Sequence, residues 1–212
     1  AGVLGVLGRG VGAGRRKVQG GEEALVRSGG VAAALAVRWA TAGRHLAMLG
    51  EGVGPGDEVI TTPLSWLATA NAGINAGAKV VFADIDPRTF NLDPASVARK
   101  ITPRTKAIIA VHLYGQCCDM DALMDLARNC GITVIEDAAH AVGATYKGRK
   151  AGSLGDLGVF SFHQHKTMTT PGEGRMIPTR DPAMTDTMFS YPPSATPRSA
   201  PPPTHPPPSR AP

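Results

Sequence analysis

Aromatic side chains make up only 5% of the 212 residues, and the three cysteines, Cys117, Cys118 and Cys130, show no metal-type spacing. Adjacent cysteines such as Cys117 and Cys118 seldom bridge each other, so no disulfide framework is expected and a reducing cytoplasm fits best. Lysine and arginine outnumber aspartate and glutamate by 22 to 17, but the excess is spread thinly and partly sits near the two ends, in Arg9, Arg15, Arg16, Lys17, Arg198 and Arg210. Without clustered basic residues and interleaved aromatics, a nucleic-acid surface is not expected. No run approaches the roughly 18 to 20 consecutive apolar residues of a span, so no membrane partner is expected either. Ala1 to Val18 is apolar and Gly-rich with interspersed Arg, but it lacks a charged start, an apolar core and a small-residue cleavage site in that order. No signal peptide is expected from it. The absence of a G-x-G-x-x-G after the first strand weighs against a nicotinamide-binding domain.

What is present changes character twice along the chain. From residue 1 to about 30 glycines are frequent and no hydrophobic period is coherent, which predicts an irregular, disordered start. From about Pro182 to residue 212 the chain turns to Pro, Ser and Thr, with 11 of its 18 prolines there. That composition predicts an extended, disordered tail. Between them, residues 31–181 read as one domain of alternating strands and helices. Strands are predicted at Glu58 to Thr61, Lys79 to Ile85, Ala107 to Leu113 and Thr133 to Ile135. Helices are predicted at Trp66 to Ala76, Pro94 to Ile101 and Asp119 to Cys130, the last from the stripe Met120, Leu123, Met124, Leu126, Ala127 and its stop at Gly131. Alternation of this kind gives an α/β sheet, mostly parallel.

In open α/β sheets ligands bind beyond the carboxyl ends of the strands. Asp137 follows the strand Thr133 to Ile135, and Trp66 follows the one ending near Thr61, so both fall on that edge. Lys166, in Phe160-Ser161-Phe162-His163-Gln164-His165-Lys166, follows Asp137 by 29 residues. An amine, a carboxylate and a hydroxyl are what pyridoxal 5'-phosphate needs. The carboxylate keeps a ring nitrogen protonated, the amine forms a Schiff base and shuttles a proton, and an aromatic ring stacks. Backbone N–H groups and hydroxyls at Thr41, Ala42 and Ser161 suit a phosphate. Each residue also has a structural alternative: a solvated lysine, a core tryptophan, an aspartate capping a turn. His163 and His165 flank the lysine, and no third ligand with suitable spacing makes them a metal site.

Several strings, in order, resemble the DegT/DnrJ/StrS family of pyridoxal-phosphate-dependent sugar aminotransferases. They are Gly52-Val53-Gly54-Pro55-Gly56-Asp57-Glu58-Val59-Ile60, Ala68-Thr69-Ala70-Asn71-Ala72, Val111-His112-Leu113-Tyr114-Gly115-Gln116, Ile135-Glu136-Asp137-Ala138-Ala139-His140, Gly152-Ser153-Leu154-Gly155-Asp156 and Phe160 to Lys166. The resemblance runs from about Ala36 to Thr179. It implies part of a fold-type I large domain, a mainly parallel sheet with helices on both faces. It implies that Lys166 forms the Schiff base, that Asp137 pairs with the pyridine nitrogen, and that His140 contacts the ring's phenolic oxygen. Trp66 would stack on the ring and Ser161 would bind the phosphate. An amino acid, glutamate or glutamine, would be the donor, and a nucleotide-linked keto-sugar or cyclitol the acceptor. Such enzymes serve polysaccharide, lipopolysaccharide or antibiotic-sugar biosynthesis as cytoplasmic homodimers.

Departures accompany the matches. Where the family reads Ser-Gly-Thr-Ala-Ala, this chain has Trp39-Ala40-Thr41-Ala42-Gly43, so only Thr41 and Ala42 are retained. Where the family has Gly-Glu-Gly-Gly, this chain has Gly172-Glu173-Gly174-Arg175. A lysine at 166 favours transamination over the related sugar dehydratases, which place histidine there. Family members continue into a small domain and an intersubunit loop, neither recognisable after about Asp181. A truncated or frame-shifted product is therefore expected, with a non-catalytic remnant as the rival to an active transaminase.

Overall fold

A computed structural model of the chain describes residues 15–37, 42–163, 166, 168 and 174–191. The apolar runs form its centre. β4 (Thr105–Val111) and β5 (Thr133–Asp137) are buried along nearly their whole length, as strands covered on both faces must be. Successive side chains point to opposite faces. Ala107, Ile109 and Ile135 therefore enter one apolar layer, and Ile108, Ala110 and Val134 enter the other. Burying an Ile or Val of this kind stabilises the fold by roughly 1.5–3 kcal/mol each.

Seven strands make the main sheet. The others are β1 (Ala33–Val37), β2 (Glu58–Thr61), β3 (Lys79–Phe82), β8 (Leu157–Ser161) and β9 (Arg175–Thr179), and a two-stranded hairpin joins β6 (Thr145–Tyr146) to β7 (Arg149–Lys150). The order is β1-β9-β8-β5-β4-β2-β3. β9 pairs antiparallel with both its neighbours, and the remaining pairs are parallel. On one face lie α2 (Ala42–Gly50), α3 (Leu67–Asn75) and α6 (Pro182–Ser190), which contribute Met48, Ala72, Met184 and Met188. On the other lie α4 (Pro94–Ala98) and α5 (Met120–Cys130), with Val97, Met120, Leu123 and Ala127. α5 is capped by Asp119, whose carboxylate accepts the Ala122 N–H, and stops at Gly131, whose φ of +67° is costly for residues with a Cβ.

Two expectations change. Irregular chain is expected up to residue 30, yet Arg15–Gly29 forms helix α1. Tertiary contact overrides its glycines: Leu25 packs on an apolar cluster, and the Glu22 carboxylate accepts the Ala36 N–H at 2.7 Å. An extended tail is expected from Pro182, yet α6 starts there. Asp181 caps it, proline at the first turn costs nothing, and Met184 and Met188 are buried. The rest of the expected disordered start and tail, residues 1–14 and 192–212, lies outside the described residues. β3 also ends at Phe82, short of Ile85, which makes only a bridge to Leu92. Among the described residues no helix is long and apolar enough to cross a membrane.

Candidate active site

The parallel strands β2, β4, β5 and β8 end at Thr61, Val111, Asp137 and Ser161, and the loops leaving that edge frame a cavity of about 260 Å³. This lies just below the roughly 300–1,000 Å³ of typical small-molecule pockets. Asp137 is the last residue of β5, in register with Val111 and Val159 on either side, so its carboxylate is fixed by the sheet. Helix α2 crosses close above β8: a Cβ at Gly43 would sit 3.1 Å from Val159 Cγ1. That close approach carries Arg44 to the cavity floor.

Arg44 Nη1 donates to Asp137 Oδ2 at 2.7 Å, and both side chains are about 5% exposed. The first turn of α3 adds a second donor, Thr69 Oγ1, at 2.8 Å to the same oxygen. Among the described residues Asp137 Oδ1 receives only the Ala139 N–H, at a long 3.4 Å, which leaves it acceptor capacity for a ligand. Burial alone would raise this carboxyl's pKa, but the Arg44 charge and the Thr69 hydrogen bond outweigh it and hold it below its usual value.

Lys166 Nζ lies 2.8 Å from His140 Nε2 at the same cavity. Burial depresses the lysine's proton affinity, Arg44 and Arg175 depress it further, and Asp137 opposes them, leaving a net lowering. Burial, and then the neighbouring lysine, likewise lower His140. The His140 shift favours a neutral imidazole whose Nε2 accepts from Lys166 Nζ. Tyr114 stacks on the His140 ring, with centroids 6.4 Å apart and planes inclined by 13°. Its backbone sits at φ +54°, a left-handed conformation costing a non-glycine residue roughly 1 kcal/mol or more.

Of the residues singled out by sequence, Lys166, Asp137, His140 and Trp66 line this one cavity. Trp66 stands at its mouth, 76% exposed. Ser161 is fully buried on β8, paired in register with the cavity residue Arg175. Ala42 opens α2, while Thr41 and His165 lie outside the described residues. Arg44, Thr69 and Tyr114 had not been singled out individually. Thr69 and Tyr114 sit in recognised strings, but an arginine inside a helix reads as a solvated side chain. Among the described residues no group of three or more His, Cys, Asp or Glu side chains is arranged to hold a metal.

Behind the cavity, Glu136 points the other way from Asp137. Its Oε1 accepts the Leu154 and Gly155 N–H groups, and its Oε2 accepts that of Gly152, all at 2.7 Å. His112 Nε2 completes the set at 2.8 Å. Because His112 Nδ1 accepts the Cys118 N–H, the ring proton belongs on Nε2 and points at Glu136. This buried clamp anchors the 152–155 loop to the strand that presents Asp137.

Residues 3–198 match the DegT/DnrJ/EryC1/StrS aminotransferase family, whose cofactor is pyridoxal 5'-phosphate. GDP-perosamine synthase of Caulobacter vibrioides is 54% identical over 160 residues, 76% of this chain and 43% of that protein. A UDP-2-acetamido-2-deoxy-3-oxo-D-glucuronate aminotransferase of Pseudomonas aeruginosa is 52% identical over 130 residues, 61% of this chain and 36% of its own. A solved aminotransferase from Psychrobacter cryohalolentis superposes with a TM-score of 0.78 at 43% identity, covering 80% of this chain and 43% of that one. The layered sheet is thus part of a fold-type I transferase domain. The chain spans less than half the length of these relatives.

Proposed function

We propose that this chain, which belongs to the DegT/DnrJ/EryC1/StrS aminotransferase family, forms the large-domain part of a sugar aminotransferase site built around Lys166. The observation that carries this reading is the placement of the Lys166 amine against His140, with Asp137 in the same cavity. The residues fit pyridoxal 5'-phosphate: Asp137 Oδ1 has acceptor capacity for a ring N–H, and among the described residues lining the cavity three basic side chains, Arg44, Lys166 and Arg175, accompany one carboxylate, which favours an anionic ligand. When bound, the cofactor supplies an electron sink for charge developing at the donor carbon.

The chain's own groups do the rest. Asp137, ionised by its partners, holds the proton on the ring nitrogen. Lys166, with its affinity for protons lowered, binds the cofactor and then takes and returns the proton at Nζ. His140 accepts a hydrogen bond from Nζ and orients it. Trp66 covers the ring, while Ser161, Thr41 and Ala42 hold the phosphate. Glutamate or glutamine donates the nitrogen, and a nucleotide-linked keto-sugar or cyclitol accepts it, for polysaccharide, lipopolysaccharide or antibiotic-sugar synthesis in the cytoplasm. The names of the GDP-perosamine synthase and the UDP-sugar aminotransferase support a nucleotide-linked acceptor. Trp66, Leu67 and Tyr114, large and exposed near the mouth, support closure by a second copy of the chain.

Mixing the purified, folded chain with pyridoxal 5'-phosphate, reducing with borohydride and mapping the adduct by mass spectrometry tests the reading. The cofactor should be fixed to Lys166 and absent from Lys166→Ala. No adduct in the wild-type chain, or an undiminished one in the variant, rejects it.

A further inference from the structure

Arg44 helps to keep Asp137 ionised, and it is among the most deeply buried cations of the described residues. A long basic side chain on a helix normally extends to water, and burying its charge costs several kcal/mol unless a counter-charge meets it. Here Asp137 meets it at 2.7 Å, and Arg44 Nε is left buried with no hydrogen-bond partner among the described residues. The carboxylate is therefore shared: Oδ2 belongs to Arg44 and Thr69, and Oδ1 remains available.

Among the described residues, the titratable and charged groups lining the cavity with Lys166 are Asp137 from β5, His140 from the following loop, His112 just after β4, Arg44 from α2, Arg175 from β9 and His163 from the loop after β8. Asp137 is the one carboxylate among them, and a lone carboxylate there would hold a proton on the lysine. We propose that Arg44 is a positioning residue that claims Asp137 Oδ2, offsets the carboxylate's pull on Lys166 and so eases proton loss from Nζ, while presenting Oδ1 to the ring nitrogen. This deepens the proposed function and rests on Lys166 being the reacting amine.

The test needs no cofactor. Trace labelling of the whole chain with acetic anhydride, between about pH 6 and 11, reads the protonation midpoint of Lys166 by mass spectrometry of its peptide. Arg44→Met should raise the midpoint by about one unit, cutting labelling below the midpoint about tenfold, and Arg44→Lys should restore the wild-type value. A folded Arg44→Met with the wild-type midpoint overturns the proposal. Should Arg44→Met fail to fold with its stranded carboxylate, Arg44→Gln, which can still donate to Oδ2 but carries no charge, takes its place. A raised midpoint there supports the proposal, and the wild-type midpoint overturns it. Cofactor fixed to Lys166 together with an unmoved midpoint defeats this inference alone. A moved midpoint without fixed cofactor defeats the aminotransferase reading instead.

Discussion

Replacing Glu136 by Gln changes one oxygen to an NH₂ group and almost no volume, so its effect isolates hydrogen bonding. Each carboxylate oxygen faces two donors: Leu154 and Gly155 N–H on Oε1, Gly152 N–H and His112 Nε2 on Oε2. Whichever way the amide turns, its NH₂ confronts two N–H donors, and two charge-assisted bonds are lost. At about 1.5–3 kcal/mol each, the variant should be less stable by about 3–6 kcal/mol. For a chain of this size that lowers Tm by on the order of 10 °C. Urea denaturation gives the free energy directly, and circular dichroism melting gives the Tm. If His112 flips to present a lone pair, one bond is recovered and the loss moves to the low end of that range. A loss below about 1 kcal/mol would refute the assignment of Glu136 as the anchor of the 152–155 loop.

The remaining expectations concern charge and the cavity mouth. Glu58, bonded first to Thr102 and then to Arg104, has its pKa lowered from 4.5 to about 2. Its stabilisation is full above about pH 4.5 and is lost as pH falls through about 2. The Tm gap between wild type and Glu58→Gln should therefore close over that window, and a gap constant down to the acid limit would contradict the pairing. Trp66→Ala should leave stability within about 0.5 kcal/mol, because the side chain is exposed and makes no cap bond. It should weaken pyridoxal 5'-phosphate binding about three- to tenfold in a spectroscopic titration, as expected for a lost ring contact. A clear stability loss with unchanged affinity would place Trp66 in the core instead.

The centre of the fold was legible because its signals are local. The apolar runs of β4 and β5 and the stripe on α5 each name an element within a dozen residues. The periphery was less legible, since what holds it is distant in sequence. α1 carries two adjacent glycines, Gly20 and Gly21, and is secured by Glu22 and Leu25 meeting other elements. At α6 the Asp181-Pro182 start signal was present but outweighed by the prolines that follow. At the site, Asp137 could be found because it ends a strand on the ligand edge. Arg44 could not, because only the close approach of α2 to β8 at Gly43 turns that helix position inward.

The order of strands also sets a sequence of events. β9 pairs with β8 through Leu157 and Thr179, across a short connection, whereas β1 reaches β9 by joining Ala33 to Thr179. Loop-closure entropy for the second pairing is roughly 4 kcal/mol, against under about 3 kcal/mol for the first. Although β1 leaves the ribosome before every other strand of the sheet, it has no partner until β9 is in place. Its pairing with β9 therefore closes the largest loop of the described sheet.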